Sequence, residues 1–267
     1  PSWTCEPMKI ASWNVNSLKV RLPQVLDWIN LNQPDVLCLQ ETKQNNDNFP
    51  HDVFDQKGLF SYHNGQNTYN GVAIISNKEL INVQLDIPNF NDEQKRFISG
   101  IYTNDEGDKQ RVISAYIPNG QALTSEKFEY KINWLKSFLN FLQKKNDAIE
   151  NIITGDFNIA PSKLDCYDSK SWDGKILVSP QERAYFNKLL KLGFIDTFRE
   201  INPNANEFSW WDYRIPFKRN LGMRIDHILL SKNLLPFLEK AYIDKTTRTF
   251  ERPSDHVPVV TELNFNP

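Results

Sequence analysis

The chain has 267 residues, with 31 Lys and Arg against 33 Asp and Glu and a formal charge of −2. That balance excludes a basic field over the whole protein, so binding to nucleic acid must come from a local patch. Hydrophobic residues at 40% and aromatic residues at 12% supply a substantial core, while no apolar run approaches the ~18 residues of a membrane span.

Residues 1–7 lack the basic region and apolar core of a signal peptide and read as a loose terminus or expression remnant. Residues 9–16 alternate as a strand that ends in polar amides. Leu22, Val25, Leu26 and Ile29 recur at helical spacing, and Pro34 closes that helix. Residues 35–41 are a nearly continuous apolar run, hence a strand buried on both faces and ending in Glu41. Residues 71–76 form another inner strand, entered through Tyr69 and Asn70. Residues 96–102 and 111–117 read as strands around the polar turn 104–108. The second delivers Tyr116 to the turn Pro118-Asn119-Gly120. Leu135, Phe138, Leu139 and Leu142 mark a long helix over 124–145.

The stretch from Asn151 to Pro161 runs from a buried strand straight into a polar turn. Ile152 and Ile153 are its apolar payload, and Gly155 allows an approach that a side chain would block. Asp156 and Asn158, two residues apart, project from the same side in extended geometry. An anionic acceptor beside an amide suits holding a water or a metal next to a phosphate. An ordinary Asx-rich turn after a strand is the alternative. Residues 162–178 are polar and irregular. Ser179-Pro180-Gln181-Glu182 then combines a capping box with proline at the first helical position; Phe186, Leu189 and Leu190 face the core and Gly193 ends the helix. Residues 208–214 mix aromatics and charge. Residues 224–230 form a strand with Asp226 inside an apolar run, and Ser254-Asp255-His256 opens a final strand, 257–263. Strands that first alternate with helices and later form hairpins imply mixed sheets in one α/β domain, residues 8–264.

Cys5, Cys38 and Cys166 form neither a zinc pattern nor a disulfide framework, which points to a reducing cytoplasm. Polar residues recur at strand ends: Asn14, Glu41, Tyr116, Asp156, Asn158, Asp226, Asp255 and His256. Sites built from several loops at one edge of a sheet have this pattern. Glu41 could equally be a solvated strand end and Tyr116 a satisfied core tyrosine. Asp226 needs a partner in its apolar surroundings, and His256 is a histidine for a carboxylate to orient, leaving Asp255 free to face a metal. Hard oxygen ligands without a Cys/His cluster favour Mg²⁺ or Mn²⁺ over zinc. His51, His63 and His227 have no ligand spacing and read as surface or core.

The strings Ile10-Ala-Ser-Trp-Asn-Val-Asn-Ser-Leu18, Leu39-Gln-Glu-Thr-Lys43, Tyr116-Ile-Pro-Asn119, Gly155-Asp-Phe-Asn-Ile-Ala-Pro161, Arg224-Ile-Asp-His-Ile-Leu-Leu230 and Pro253-Ser-Asp-His-Val-Pro258 stand in this order. Together they resemble the exonuclease III family of abasic-site DNA endonucleases, over nearly the whole chain. Ser-Asp-His is shared with relatives such as deoxyribonuclease I and inositol-phosphate phosphatases. The segment Ser209-Trp-Trp-Asp-Tyr-Arg214 and the Leu-Gln-Glu-Thr-Lys form narrow the resemblance to the DNA-repair branch.

The resemblance implies a four-layer α/β sandwich, two mixed sheets face to face with helices outside. It implies a monomer that cleaves duplex DNA 5′ of abasic sites, with 3′-phosphodiesterase activity on blocked 3′ ends and 3′→5′ exonuclease activity. Glu41 with Asn14 and Asp255 would hold the divalent metal, with Asp156, Asn158 and His256 beside it. Asp156 would orient and deprotonate the attacking water, Asn158 would position it, His256 oriented by Asp226 would bond the phosphate, and Tyr116 would contact phosphate or leaving oxygen. Tyr69, Asn70, Asn119 and Arg224 would line the DNA path. Trp210, Met223 and Ile225 would receive the baseless sugar. Asn16 stands where some members have Asp, and Met223 where some have a larger aromatic. Lys127, Lys131, Arg214, Lys218, Arg219 and Arg224 flank these segments as a local basic patch. A phosphatase of the same scaffold acting on inositol phosphates or lipid headgroups, and an inactive DNA-binding module, are the competing readings.

Overall fold

Continuous apolar strands must be covered on both faces, and this chain covers them with a second sheet on one side and helices on the other. The computed structural model describes residues 6–266. In chain order it forms β1 (Met8–Asn14), α1 (Leu18–Asn32), β2 (Val36–Gln40), α2 (His51–Asp55), β3 (Phe60–Asn64), β4 (Val72–Ser76) and β5 (Ile81–Leu85). Next come β6 (Phe97–Thr103), β7 (Lys109–Tyr116), α3 (Glu126–Lys144), β8 (Glu150–Asp156), α4 (Ser169–Trp172), α5 (Pro180–Lys191) and β9 (Phe194–Asp196). The chain closes with α6 (Thr197–Ile201), β10 (Trp210–Trp211), β11 (Gly222–Met223), β12 (Asp226–Ser231), β13 (Leu238–Ile243) and β14 (Val259–Leu263).

One sheet has the order β13-β14-β1-β2-β4-β3 and the other β5-β6-β7-β8-β12-β9, while β10 and β11 form a separate ribbon. Each sheet contains one parallel pair, β1 with β2 and β7 with β8, and each of those connections carries a helix. The fold is the four-layer α/β sandwich. All eight inner strands coincide with those read from the sequence. Besides the β10-β11 ribbon, the strands that the sequence did not announce, β3, β5, β9 and β13, are the four edges of the two large sheets.

Alternation along each strand sorts residues between layers. Ile10, Cys38, Ile74, Val112, Ile152 and Ile228 meet between the sheets. Their neighbours Ala11, Leu37, Leu39 and Ile75 lie under α1, which presents Leu18, Val25, Trp28 and Ile29. Ile113, Ile153 and Leu229 lie under α3 and α5, which present Phe128, Leu135, Phe138, Phe186 and Leu189. Each such side chain contributes about 1.5–3 kcal/mol, so packing rather than propensity holds the helices. Ser125 caps α3 through the Phe128 N–H, and the expected capping box of Ser179 and Glu182 opens α5.

Of the expected loose terminus only Glu6 and Pro7 are described, and neither is in a regular element; Cys5 lies outside the described residues. The excursion 162–178 is less irregular than its polarity suggested. It carries α4 and packs Cys166, Leu177 and Val178 against Met223 and Ile225. Among the described residues no helix is long and apolar enough to cross a membrane.

Gly155 of β8 faces Ala115 of β7, and a Cβ there would stand 2.0 Å from the Ala115 carbonyl oxygen. That oxygen belongs to a paired inner strand and has no room to retreat. Gly155→Ala is therefore expected to cost at least about 2–3 kcal/mol by overpacking, read as a lower urea midpoint. An unchanged midpoint would show that β7 and β8 can separate at no cost.

Candidate active site at the end of the inter-sheet layer

The site begins inside the sandwich. Along β1 the residues facing the opposite sheet run Ile10, Ser12, Asn14; along β7 they run Val112, Ser114, Tyr116; along β8, Ile152, Thr154, Asp156. The registers Ser12 with Cys38, Ser114 with Thr154, and Tyr116 and Asp226 both with Asp156 hold these rows level. An aliphatic layer thus becomes a hydroxyl layer and then a charged one. The middle layer is satisfied internally: the Gln40 amide donates to Ser12 Oγ and Ser114 Oγ, both at 3.1 Å, and Ser114 donates to the Leu39 carbonyl.

At the layer's end Asp156 is buried, 1% exposed. Its Oδ2 accepts from Asn14 Nδ2 at 2.9 Å, and the same nitrogen donates to Glu41 Oε1 at 2.8 Å. Its Oδ1 accepts the Asn158 N–H at 3.0 Å. His256 Nε2 stands 3.5 Å from Asp156 Oδ2. The other ring nitrogen, Nδ1, donates to Asp226 Oδ2 at 2.8 Å, so Asp226 orients the imidazole as expected. Ser209 Oγ accepts the Ile225 and Asp226 N–H groups and fixes the base of that carboxylate.

Burial pushes the Asp156 carboxyl up to about 7, with Asp226 and Glu41 adding to the rise and His256 and Asn14 opposing it. Burial disfavours a charged His256, but the carboxylates of Asp226, Asp156 and Asp255 outweigh it and hold the imidazole well above its ordinary value. The imidazole therefore favours its charged form, facing Asp156 Oδ2 across 3.5 Å. Burial and the Glu41 charge keep the Tyr116 hydroxyl protonated, hence a donor.

Asn158 does not continue the strand. It is left-handed, φ 49°, and turns its amide to donate to the Ile117 carbonyl, while its Oδ1 accepts from Asn119 at 3.3 Å. The extended-geometry expectation for Asp156 and Asn158 fails here, because the Asx turn made by Asp156 Oδ1 ends the strand between them. Asn16 and Glu41 are left-handed too, φ 45° and 52°. Such backbone gathers where a site is assembled from loop ends.

Ligand atoms of Glu41, Asp156 and His256 lie within 4.8 Å of one another. Two carboxylates at that spacing fit a hard divalent cation. Asn14 as it stands turns its nitrogen toward both carboxylates, and its oxygen accepts the Asn16 N–H. Asp255 lies outside the close group: one oxygen accepts from Asn16 and the other from the Trp210 indole at 3.2 Å.

Tyr69, Asn70 and Asn119 come together around a cleft of about 700 Å³, with Tyr116 on its wall. Arg96 also lines it, a residue the motifs did not single out. Its guanidinium stacks on Tyr116 at 4.6 Å and Tyr130 at 5.7 Å and donates to the Tyr116 carbonyl. The nearest sequence signal was its position at the start of strand 96–102, which antiparallel pairing sets beside Tyr116.

Two expected DNA contacts are corrected. Arg224 is 1% exposed and its guanidinium is consumed by Asp165 and Asp196 at 2.6–2.7 Å, so it reaches no phosphate. Lys131 is fully buried and paired with Glu182. Lys127, Arg214, Lys218 and Arg219 are exposed, though Arg214 is engaged by Asp212. The apolar enclosure is corrected as well. Met223 and Ile225 are buried among Cys166, Leu177 and Val178, and only Trp210 keeps open surface beside the site. Trp210 is held there by a bridge to His256.

The model of the Endonuclease/Exonuclease/phosphatase family matches residues 11–256. The chain belongs to this family. Exodeoxyribonuclease III of Haemophilus influenzae is 38% identical over 96% of this chain and 100% of its own. A DNA repair nuclease of Danio rerio is 31% identical over 96% of this chain and 82% of its own. A solved structure of a Neisseria 3′ phosphatase bound to product DNA hairpin superposes with TM-score 0.93 at 42% identity, covering 97% of this chain and 100% of that one. An AP endonuclease from Archaeoglobus fulgidus gives 0.90 at 35% identity, covering 96% and 99%. This family member is a hydrolytic DNA-repair nuclease of the exonuclease III type. The phosphatase alternative is not favoured.

The Arg224 correction is testable. Burial alone would raise Asp165 and Asp196, but the Arg224 guanidinium outweighs it and holds both below the usual carboxylate range. Depressed folded values contribute stability that is complete above about pH 4, the unfolded value, and lost as pH falls below it. Arg224→Met should cost about 3–5 kcal/mol at pH 7 by leaving buried Asp196 without its guanidinium, while Asp165 keeps Arg199, with the deficit shrinking in acid. The salt dependence of DNA affinity should not change. A shallower salt slope with normal stability would return Arg224 to the DNA surface.

Proposed function

We propose that the protein hydrolyses the phosphodiester 5′ of abasic sites in duplex DNA, and blocked 3′ ends, using Mg²⁺ or Mn²⁺. The observation that carries this reading is one carboxylate, Asp156, buried between an amide donor, a carboxylate-oriented histidine and a second carboxylate, beside the half-buried Trp210.

In this reading water attacks phosphorus in line with the 3′-oxygen, and Asp156 takes its proton. The P–O3′ bond breaks as the new P–O bond forms. His256 and the Asn158 amide stabilise charge on the phosphoryl oxygens. Tyr116, kept protonated, stands beside the departing oxygen as a donor. Glu41 and Asp156 would hold the cation, which supplies Lewis-acid stabilisation of the developing charge. The products are a 3′-hydroxyl and a 5′-deoxyribose phosphate. Discrimination rests on Trp210, whose flat indole offers contact to a bare sugar where an attached base would have to leave the stack, at a few kcal/mol. A specific observation also favours 3′-end processing: burial of Met223 and Ile225 leaves no ready enclosure, and two similar solved structures from Neisseria are of a 3′ phosphatase and a 3′–5′ exonuclease.

Chelation should abolish cleavage and Mg²⁺ restore it. Asp156→Asn keeps the shape but removes the base and should lose about 10² to 10⁴ in turnover with folding intact; near wild-type turnover at saturating DNA would remove Asp156 from its role.

Trp210→Ala should shrink the ratio of cleavage rates between an abasic duplex and an undamaged one. Removal of a 3′-phosphate, measured alongside, should be less affected, since an end needs no extrusion. An intact ratio with a lowered melting temperature would mean that Trp210 is only packing.

A further inference from the structure

Lys131, one of the basic residues that the sequence placed at the DNA surface, is instead inside the protein. It rises from α3 with no exposed surface, and so does its partner Glu182 at the start of α5. Besides Glu182, its ammonium donates to the Asn158 carbonyl at 2.7 Å and to the Asn119 carbonyl at 3.2 Å. Those residues stand on different turns, one after β8 and one after β7, and their side chains touch through Asn119 Nδ2 and Asn158 Oδ1. Three acceptors on three segments match the three N–H bonds of an ammonium. The fit extends to the stem: a Cβ on Gly120 would stand 3.1 Å from Lys131 Cδ.

The neighbouring carbonyls of the same turn are held likewise. His227 Nε2 donates to the Ile159 oxygen at 2.8 Å and Arg183 Nε to the Ala160 oxygen at 2.9 Å. Three consecutive carbonyls after Asp156 thus receive side-chain donors from α3, β12 and α5. Of the three, only Lys131 also reaches a second turn of the site. Stability does not explain a wholly buried ion pair, since apolar replacement of such pairs is often neutral or stabilising. Asn158, left-handed and at the end of its strand, does need external fixing.

We propose that Lys131 is a positioning residue for hydrolysis: its buried ammonium ties the Asn158 turn to the Asn119 turn and thereby fixes Asn158, whose backbone N–H bonds Asp156, at the place where its side chain meets the phosphate. The proposal rests on the reading of Asp156 and Asn158 as the hydrolytic centre. Glu182, occupied by the Ser179 cap and the Leu177 N–H, anchors the ammonium from the far side.

The test uses the full chain on a cleavable duplex with Mg²⁺, in Lys131→Met and in the charge-balanced Lys131→Met/Glu182→Gln, each below its own melting temperature. The expected result is a fall in kcat of about 10- to 100-fold, as for a misplaced group, with KM within about threefold, since Lys131 touches no DNA. Placed on Asn158→Ala, the same changes should lower kcat by no more than about threefold further, because they act through Asn158. Retained kcat in the folded double variant, losses that multiply fully, or failure of both Lys131 variants to fold would overturn the proposal and leave Lys131 a stability element. Full activity of Asn158→Ala itself would instead remove the underlying reading of the site.

Discussion

A carboxylate almost without solvent, placed where two sheets meet, dictates much of what surrounds it. Taking such a charge out of water costs several kcal/mol unless donors replace the lost hydration. For Asp156 those donors are the Asn14 amide and the Asn158 N–H, with His256 facing the same oxygen. Two more carboxylates, Glu41 and Asp226, stand close enough to push its proton affinity up. The partners come from the ends of β1 and β2, the turn after β8, the start of β12 and the approach to β14. Only a sandwich that brings both sheets' strand ends to one edge can assemble them.

The layer between the sheets prepares that edge. Aliphatic side chains deep in the sandwich give way to Ser12, Gln40, Ser114 and Thr154, and these to Asn14, Tyr116, Asp156 and Asp226. The hydroxyl layer is dry yet hydrogen-bonded, so it can separate a hydrophobic core from a charged site without an orphaned group. It also stiffens the ends of the strands. A site that must hold a water and a phosphate to within fractions of an ångström gains from standing on paired strands rather than on free loops.

Charge on the molecule is divided by depth. Lys127, Lys218 and Arg219 are exposed near the cleft and the Trp210 ribbon, where a phosphate backbone could meet them. Arg224 and Lys131 are turned inward and hold parts of the scaffold together: one joins Asp165 to Asp196, the other joins two turns to α5. A chain with a net charge of −2 can therefore present a basic face while keeping two of its cations for internal use.

The sequence by itself determined the eight inner strands, the three long helices and the order of the site residues. Strands buried on both faces must be almost wholly apolar, and a polar residue that ends such a run is conspicuous. The four edge strands escaped because an edge has one neighbour and open faces: Ile81, Val83 and Leu85 of β5 are exposed, and no burial constraint writes a pattern there. Tertiary structure alone decided which of these cations stay at the surface. Arg224 and Lys131 look like any basic residue beside a motif. What buries them is Asp165 and Asp196 for one and Glu182 for the other, residues 28 to 59 positions away. The same holds for Met223, whose burial depends on Leu177 and Val178 folding across it. Local pattern records what a residue's own strand or helix demands, and the fate of a charge depends on partners that only the assembled layers bring within reach.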